Sequence, residues 1–163
     1  MIERPCPECG FDARTVGRQD VATRIRSNAA AWVDVLNRSL GEVRARPRPT
    51  VWSPLEYACH VRDVFGLYAL RLHRMRTEDD PTYANWDQDE TAVAERYDLA
   101  DPLVTAAELA TSAERLAAAF DSLRDEEWPR RGIRSDGAEF TIDTFAKYLV
   151  HDPEHHLRDV TGG

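Results

Sequence analysis

An all-α fold, a four-helix bundle, is what this chain predicts, and three observations carry that reading. Four stretches repeat their apolar residues every three or four positions, the period of a helix with one buried face. Two of them open on capping boxes, Ser53-Pro54-Leu55-Glu56 and Thr105-Ala106-Ala107-Glu108, where a hydroxyl and a carboxylate satisfy the free amides of a first turn. The 163 residues also fit one domain able to bury its own core. Residues 1–18 are read as an N-terminal segment and 19–163 as the bundle.

The first helix is expected over residues 19–44, with Val21, Ile25, Ala29, Trp32, Leu36, Leu40 and Val43 as its buried stripe. Arg46-Pro47-Arg48-Pro49 stops it, since proline and the residue before it disfavour helix. Ser53 caps the second, Pro54 takes its first position, and the apolar pattern runs to about residue 76. Residues 78–102 are polar and acidic without sustained period, which predicts a lid or a few short helical turns, with Tyr83 and Trp86 covering a pocket or packing beneath the loop. The third helix is expected from Thr105 to about residue 125. Ser135-Asp136-Gly137 is a turn signal for a small hairpin or an extended loop. A fourth helix follows Thr141.

A net charge of −8 and a pI near 5.1 argue against a nucleic-acid partner, which needs a basic face to displace counterions. No apolar run approaches a membrane span, and Met1-Ile2-Glu3-Arg4-Pro5-Cys6 does not resemble a secretion signal. A cytoplasmic protein with a small-molecule substrate is expected, and homodimerisation suits a bundle of this size. All but Lys147 of the 21 basic residues are arginine, a bias of genome composition rather than of fold. Cys6, Cys9 and Cys59 are too few and too unevenly placed for a disulfide framework.

The chemistry concentrates in two places. His151, His155 and His156 are three of the five histidines and fall within six residues. On a helix, His151 and His155 project from one face a turn apart, as two imidazoles must to share an ion. Pro153 lies between them and predicts a kink, or a short new turn capped by Asp152. His60, inside the second helix with Glu56 and Asp63 a turn to either side, is the third ligand candidate. Three imidazoles would leave one coordination position open for water or substrate. Cys6-Pro7-Glu8-Cys9-Gly10 is half of a zinc knuckle, whose remaining ligands would come from Cys59, a histidine or a second subunit.

Trp52-Ser53-Pro54-Leu55-Glu56-Tyr57-Ala58-Cys59-His60, together with His151-Asp152-Pro153-Glu154-His155-His156, resembles the DinB/YfiT-like superfamily of metal-binding four-helix bundles. The resemblance covers residues 19–160, and the cysteine pair is similar to that of a subgroup. It implies that His60, His151 and His155 are metal ligands for Zn2+ or Ni2+. It also implies thiol chemistry, an S-transferase or isomerase using a low-molecular-weight thiol such as mycothiol or bacillithiol. Arg62, Arg158 and His156 are then candidates to bind an anionic cosubstrate. Two other readings stand beside it. One is a zinc- or redox-responsive binding protein in which Cys6 and Cys9 close the histidine site. The other is a metal-dependent hydrolase with Asp63 or Glu154 as base.

Overall fold

The computed structural model describes residues 4–162; residues 1–3 and 163, the ends of the two expected segments, lie outside the described residues. Four long helices form the bundle: α1 (Val21–Leu36), α3 (Pro54–Thr77), α5 (Pro102–Asp121) and α6 (Ile142–Thr161). The short helices α2 (Leu40–Arg44) and α4 (Gln88–Ala94) lie in the connections. Both α5 and α6 pack against α1 and α3, so the order around the bundle is α1, α5, α3, α6. Trp32, Leu55, Phe65, Leu72, Leu109, Leu116, Phe145 and Leu149 meet fully buried along its axis, each stabilising the fold by about 1.5–3 kcal/mol.

Local chemistry explains the boundaries. Ser53 accepts from the Glu56 amide while the Glu56 carboxylate accepts from the Ser53 amide at 2.8 Å, so α3 starts where the capping box requires. Thr141 caps α6 through the Thr144 amide. The first predicted helix is split, because Ser39 and Glu42 form a further capping box that restarts the chain as α2 after Asn37 and Arg38. α5 begins three residues before Thr105: Asp101 accepts from the Leu103 and Val104 amides, and Pro102 fills the first turn, as Pro54 does in α3. α6 runs unbroken through Pro153, whose ring is buried where the helix meets Ile25 and Phe65; packing holds the helix across the lost backbone bond, and no new turn starts at Asp152.

The acidic stretch after α3 holds β1 (Thr82–Tyr83) and α4, and the turn at Gly137 joins β2 (Arg131–Arg134) to β3 (Glu139–Thr141). β2 pairs antiparallel with β3 and parallel with β1, in the order β1-β2-β3. Gly137 has φ +89°, a conformation that glycine adopts without a Cβ clash. Gly132 is required for another reason: a Cβ there would come within 2.9 Å of both Met75 and Tyr83. The Ser135 hydroxyl accepts from the Asn85 amide at 2.8 Å, so the sheet fastens the segment that carries Trp86 across the middle of α3.

Candidate metal centres

His60 is 1% exposed on α3. Its Nε2 lies 3.1 Å from Oδ2 of Asp152, and Nε2 of His156 lies 3.6 Å from the other oxygen of the same carboxylate. Ligand-capable atoms of His60, Asp152 and His156 all fall within 4.8 Å of one another. Asp152 and His156 are a turn apart on α6, so the two reach α3 together. The indole of Trp86 stacks on His60 at 5.3 Å and 2° between planes, held by its Nε1–H donating to Thr91 at 2.7 Å. Burial opposes the Asp152 anion, but hydrogen bonds from His156 and His60 outweigh it and hold the carboxyl far below its ordinary range. Burial likewise opposes the His156 cation, and Asp152, with Asp159 beyond it, raises the imidazole above its ordinary value.

A second cluster lies on the neighbouring face of α6. Sγ of Cys9 is 3.4 Å from Nε2 of His151, and Sγ of Cys6 is 3.8 Å from Nδ1 of His155. The four ligand-capable atoms lie within 4.8 Å of one another. The Cys6 amide donates to the Phe11 carbonyl and the Gly10 amide to the Cys6 carbonyl, both at 2.8 Å, folding the cysteine pair into a tight loop. Phe11 packs on the His151 ring at 4.9 Å, and Arg158 donates to the Cys9 carbonyl. Amides of Cys9 and Glu8 lower the Cys6 thiol, whereas burial pushes Cys9 up and His151 down.

The structure therefore divides the expected ligands. His151 and His155 do share a helix face, but they gather with Cys6 and Cys9, while His60 meets Asp152 and His156. Consecutive residues on a helix differ by about 100° around its axis, so a one-residue change in which pair faces α3 exchanges one set for the other. Aspartate at 152 is the residue that a histidine count passes over, although its spacing to His156 carries the same i, i+4 signal. Cys59 is buried beside Thr105 at 3.7 Å and joins neither cluster.

Other expected roles are taken up differently. Glu56 is engaged by the Ser53 amide and by Arg46, and Asp63 by Arg62 at 2.7 Å and by the Tyr97 hydroxyl, so neither orients His60. Glu154 forms a two-point pair with Arg24 at 2.7 and 2.8 Å. Arg62 also pairs with Glu108 and lines a cleft of about 730 Å3 on the far side of Trp86. His60, Asp152 and His156 are not among its walls.

Two smaller pockets do reach the ligands. One, of about 130 Å3, is lined by His60, Asp152, Tyr68, Arg71 and Arg134; the other, of about 260 Å3, by His156, His155, His151, Cys6 and Glu8. Both are bounded by Gln88, Tyr148 and Asp152. Nothing in the sequence sets Arg71 apart from the neighbouring Arg74 and Arg76. Arg71 is 6% exposed, donates to the Ala84 carbonyl at 2.7 Å, and has no carboxylate partner among the described residues.

Fold and site together define a helical bundle whose last helix carries two adjacent sets of side chains suited to a divalent metal. The chain belongs to the DinB superfamily, whose sequence pattern matches residues 21–160. Its structure is similar to YfiT from Bacillus subtilis, described as a probable metal-dependent hydrolase with an unusual four-helix bundle topology. The TM-score is 0.80 at 19% identity, over 89% of this chain and 84% of that one. It is also similar to a mycothiol-dependent maleylpyruvate isomerase, with a TM-score of 0.72 at 14% identity, over 92% of this chain. The chain spans 63% of the isomerase's length. These likenesses concern the fold, and among curated proteins no sequence matches. No helix among the described residues is long and apolar enough to cross a membrane.

Proposed function

We propose that the protein is a metal-dependent enzyme that joins a low-molecular-weight thiol, of the mycothiol type, to a small anionic substrate, as an S-transferase or isomerase. The observation that carries this reading is the pair of pockets meeting at Asp152, one lobe for each of two organic reactants. His60, Asp152 and His156 are the ligand set, and two imidazoles with one carboxylate leave coordination positions open. A divalent ion there, Zn2+ or Ni2+, would supply Lewis acidity and increase the thiolate fraction of a thiol at neutral pH.

The chain's own groups supply the rest. Asp152 stays ionised between His60 and His156, its two oxygens drawing one Nε2 atom each to the same carboxylate. Trp86 covers the His60 ring and keeps solvent from it. Arg71 carries a buried guanidinium with no carboxylate partner among the described residues, a costly arrangement that an anionic group in the 130 Å3 lobe would relieve. Arg134, stacked over Tyr148 and Phe140, faces the same lobe. Arg134 is itself paired with Asp136 at 2.8 Å, so the open fork is that of Arg71, and a carboxylate is the group best matched to it. The reading includes a reducing, cytoplasmic setting, in keeping with three free cysteines.

The test uses zinc-loaded protein with mycothiol and either monochlorobimane or maleate as electrophile. Saturable dependence on thiol, abolished by His60→Ala, is expected. Arg71→Ala should raise KM for maleate more than for uncharged monochlorobimane. Turnover of a nitrophenyl ester without thiol would replace this reading with the hydrolase one, in which the same ligands serve and water takes the thiol's place.

A further inference from the structure

The proposed reaction leaves Cys6, Cys9, His151 and His155 unused. Their spacing is C-x-x-C with H-x-x-x-H, the two half-motifs of a structural zinc site, here brought together across 142 residues between Cys9 and His151. Around a tetrahedral zinc, bonds of about 2.3 Å to sulfur and 2.0–2.1 Å to nitrogen put each sulfur about 3.6 Å from each nitrogen. The contacts of 3.4 and 3.8 Å lie on either side of that value. Cys6 is 8% exposed, and the loop that aims it turns on Gly10 at φ +73°, a conformation that favours glycine.

The surroundings match as well. Metal-bound imidazoles usually offer their second nitrogen to a carboxylate. Nε2 of His155 lies 3.4 Å from Glu8 and 3.5 Å from Asp159. Two thiolates with two imidazoles select zinc among the common divalent ions by softness and geometry.

We infer that Cys6, Cys9, His151 and His155 form a second, closed Cys2His2 zinc site, separate from the His60–Asp152–His156 set, which staples the N-terminal segment to α6. Four protein ligands leave no position for substrate, so this ion is structural. Cys6 and Glu8 also line the pocket of about 260 Å3, the lobe left for the thiol once the anionic substrate takes the one at Arg71, so the ion holds one wall of it.

Metal content and thiol reactivity of the full chain, purified under reducing conditions without chelator or histidine tag, test this. Two zinc equivalents per chain are expected, with Cys6 and Cys9 resisting iodoacetamide until a chelator strips the metal. C6S/C9S should keep one equivalent, and His60→Ala should keep the other together with the protection of both cysteines. On cobalt substitution, thiolate-to-metal charge-transfer absorption should be present in His60→Ala and absent in C6S/C9S. Alkylation in the wild type needs no variant, so a misfolded C6S/C9S protein would leave the test intact. Cysteines that react as free thiols in metal-loaded protein, or a Cys6–Cys9 disulfide under reducing conditions, would overturn the inference. So would full metal content in C6S/C9S. A wild-type chain that holds a single zinc, kept in His60→Ala and lost in C6S/C9S, would count against the proposed enzyme and leave this site standing.

Discussion

The two faces of α6 carry the same spacing and different chemistry. His151 and His155 present a pair at i and i+4 to the N-terminal segment, and Asp152 and His156 present a pair of equal spacing to α3. Outward, two sulfurs complete a set of four with no open position. Inward, one further imidazole completes a set of three beneath Trp86, at the junction of two pockets. On the two proposals above, the partner that each face meets, rather than the helix itself, decides which site is closed and which can bind a reactant. Asp159 belongs to both, at 3.5 Å from Nε2 of His155 and 3.6 Å from Nδ1 of His156.

Removing the ligand from α3 is the most severe way to separate the faces. His60→Ala should lower turnover by more than the ~100-fold typical of losing an outer carboxylate partner, while α6 stays folded and the cysteine site stays loaded. Parallel activity and metal assays check this; a variant that loses both ions would show that the two sets are one cooperative unit. C6S/C9S attacks the opposite face. Freeing the N-terminal segment should lower Tm by roughly 10 °C, since each 1 kcal/mol shifts a domain of this size by about 2–4 °C and structural zinc contributes directly to folding. Its kinetic effect should be the milder one, a raised KM for thiol from the loosened wall with kcat nearly retained. Asp159→Asn should weaken both ions by about 10–100-fold, an effect visible in competition with a chelator; weakening of one alone would assign Asp159 to that face.

The frame was legible where chemistry is local. The cap at Ser53 with Pro54, the cap at Thr141 and the apolar stripes place α3 and α6 without reference to anything distant. Breaks were harder where a long periodic run overrode a short signal: Ser39 with Glu42 interrupts the first helix in the middle of its stripe, and Asp101-Pro102 opens α5 before the Thr105 box. β1 pairs with a strand some fifty residues later, which no window of neighbouring residues contains. In the site, the sequence marked the segment and its spacing, but the rotation of α6 about its own axis depends on packing by the whole bundle. That rotation sets Asp152 rather than His151 against His60. Arg71 is hidden for a similar reason: in the sequence it is one arginine among many at a helix end, and only the fold reveals that it is buried with no carboxylate partner among the described residues.

The gentlest test perturbs the frame and leaves both faces of α6 alone. Glu127 sits about four turns along from His60, where Arg76 near the end of α3 donates to one oxygen at 2.8 Å and the Arg124 amide to the other at 2.9 Å. The bond from Arg76 chiefly, with those from Arg124, pushes its carboxyl down to about 2 from an ordinary 4.5. A carboxyl more acidic in the folded chain stabilises the fold above the unfolded value, and the stabilisation disappears as pH falls through the folded one. Glu127→Gln should therefore cost about 1 kcal/mol at neutral pH, the scale of a partly exposed ion pair. The difference from wild type should close between pH 4.5 and about 2 in urea titrations. At pH 7 the variant should keep both metal equivalents and the wild-type KM for thiol. Loss of either ion in Glu127→Gln would mean that the two faces respond to the stability of the bundle as a whole, and the contrast between them would then describe one site in two parts.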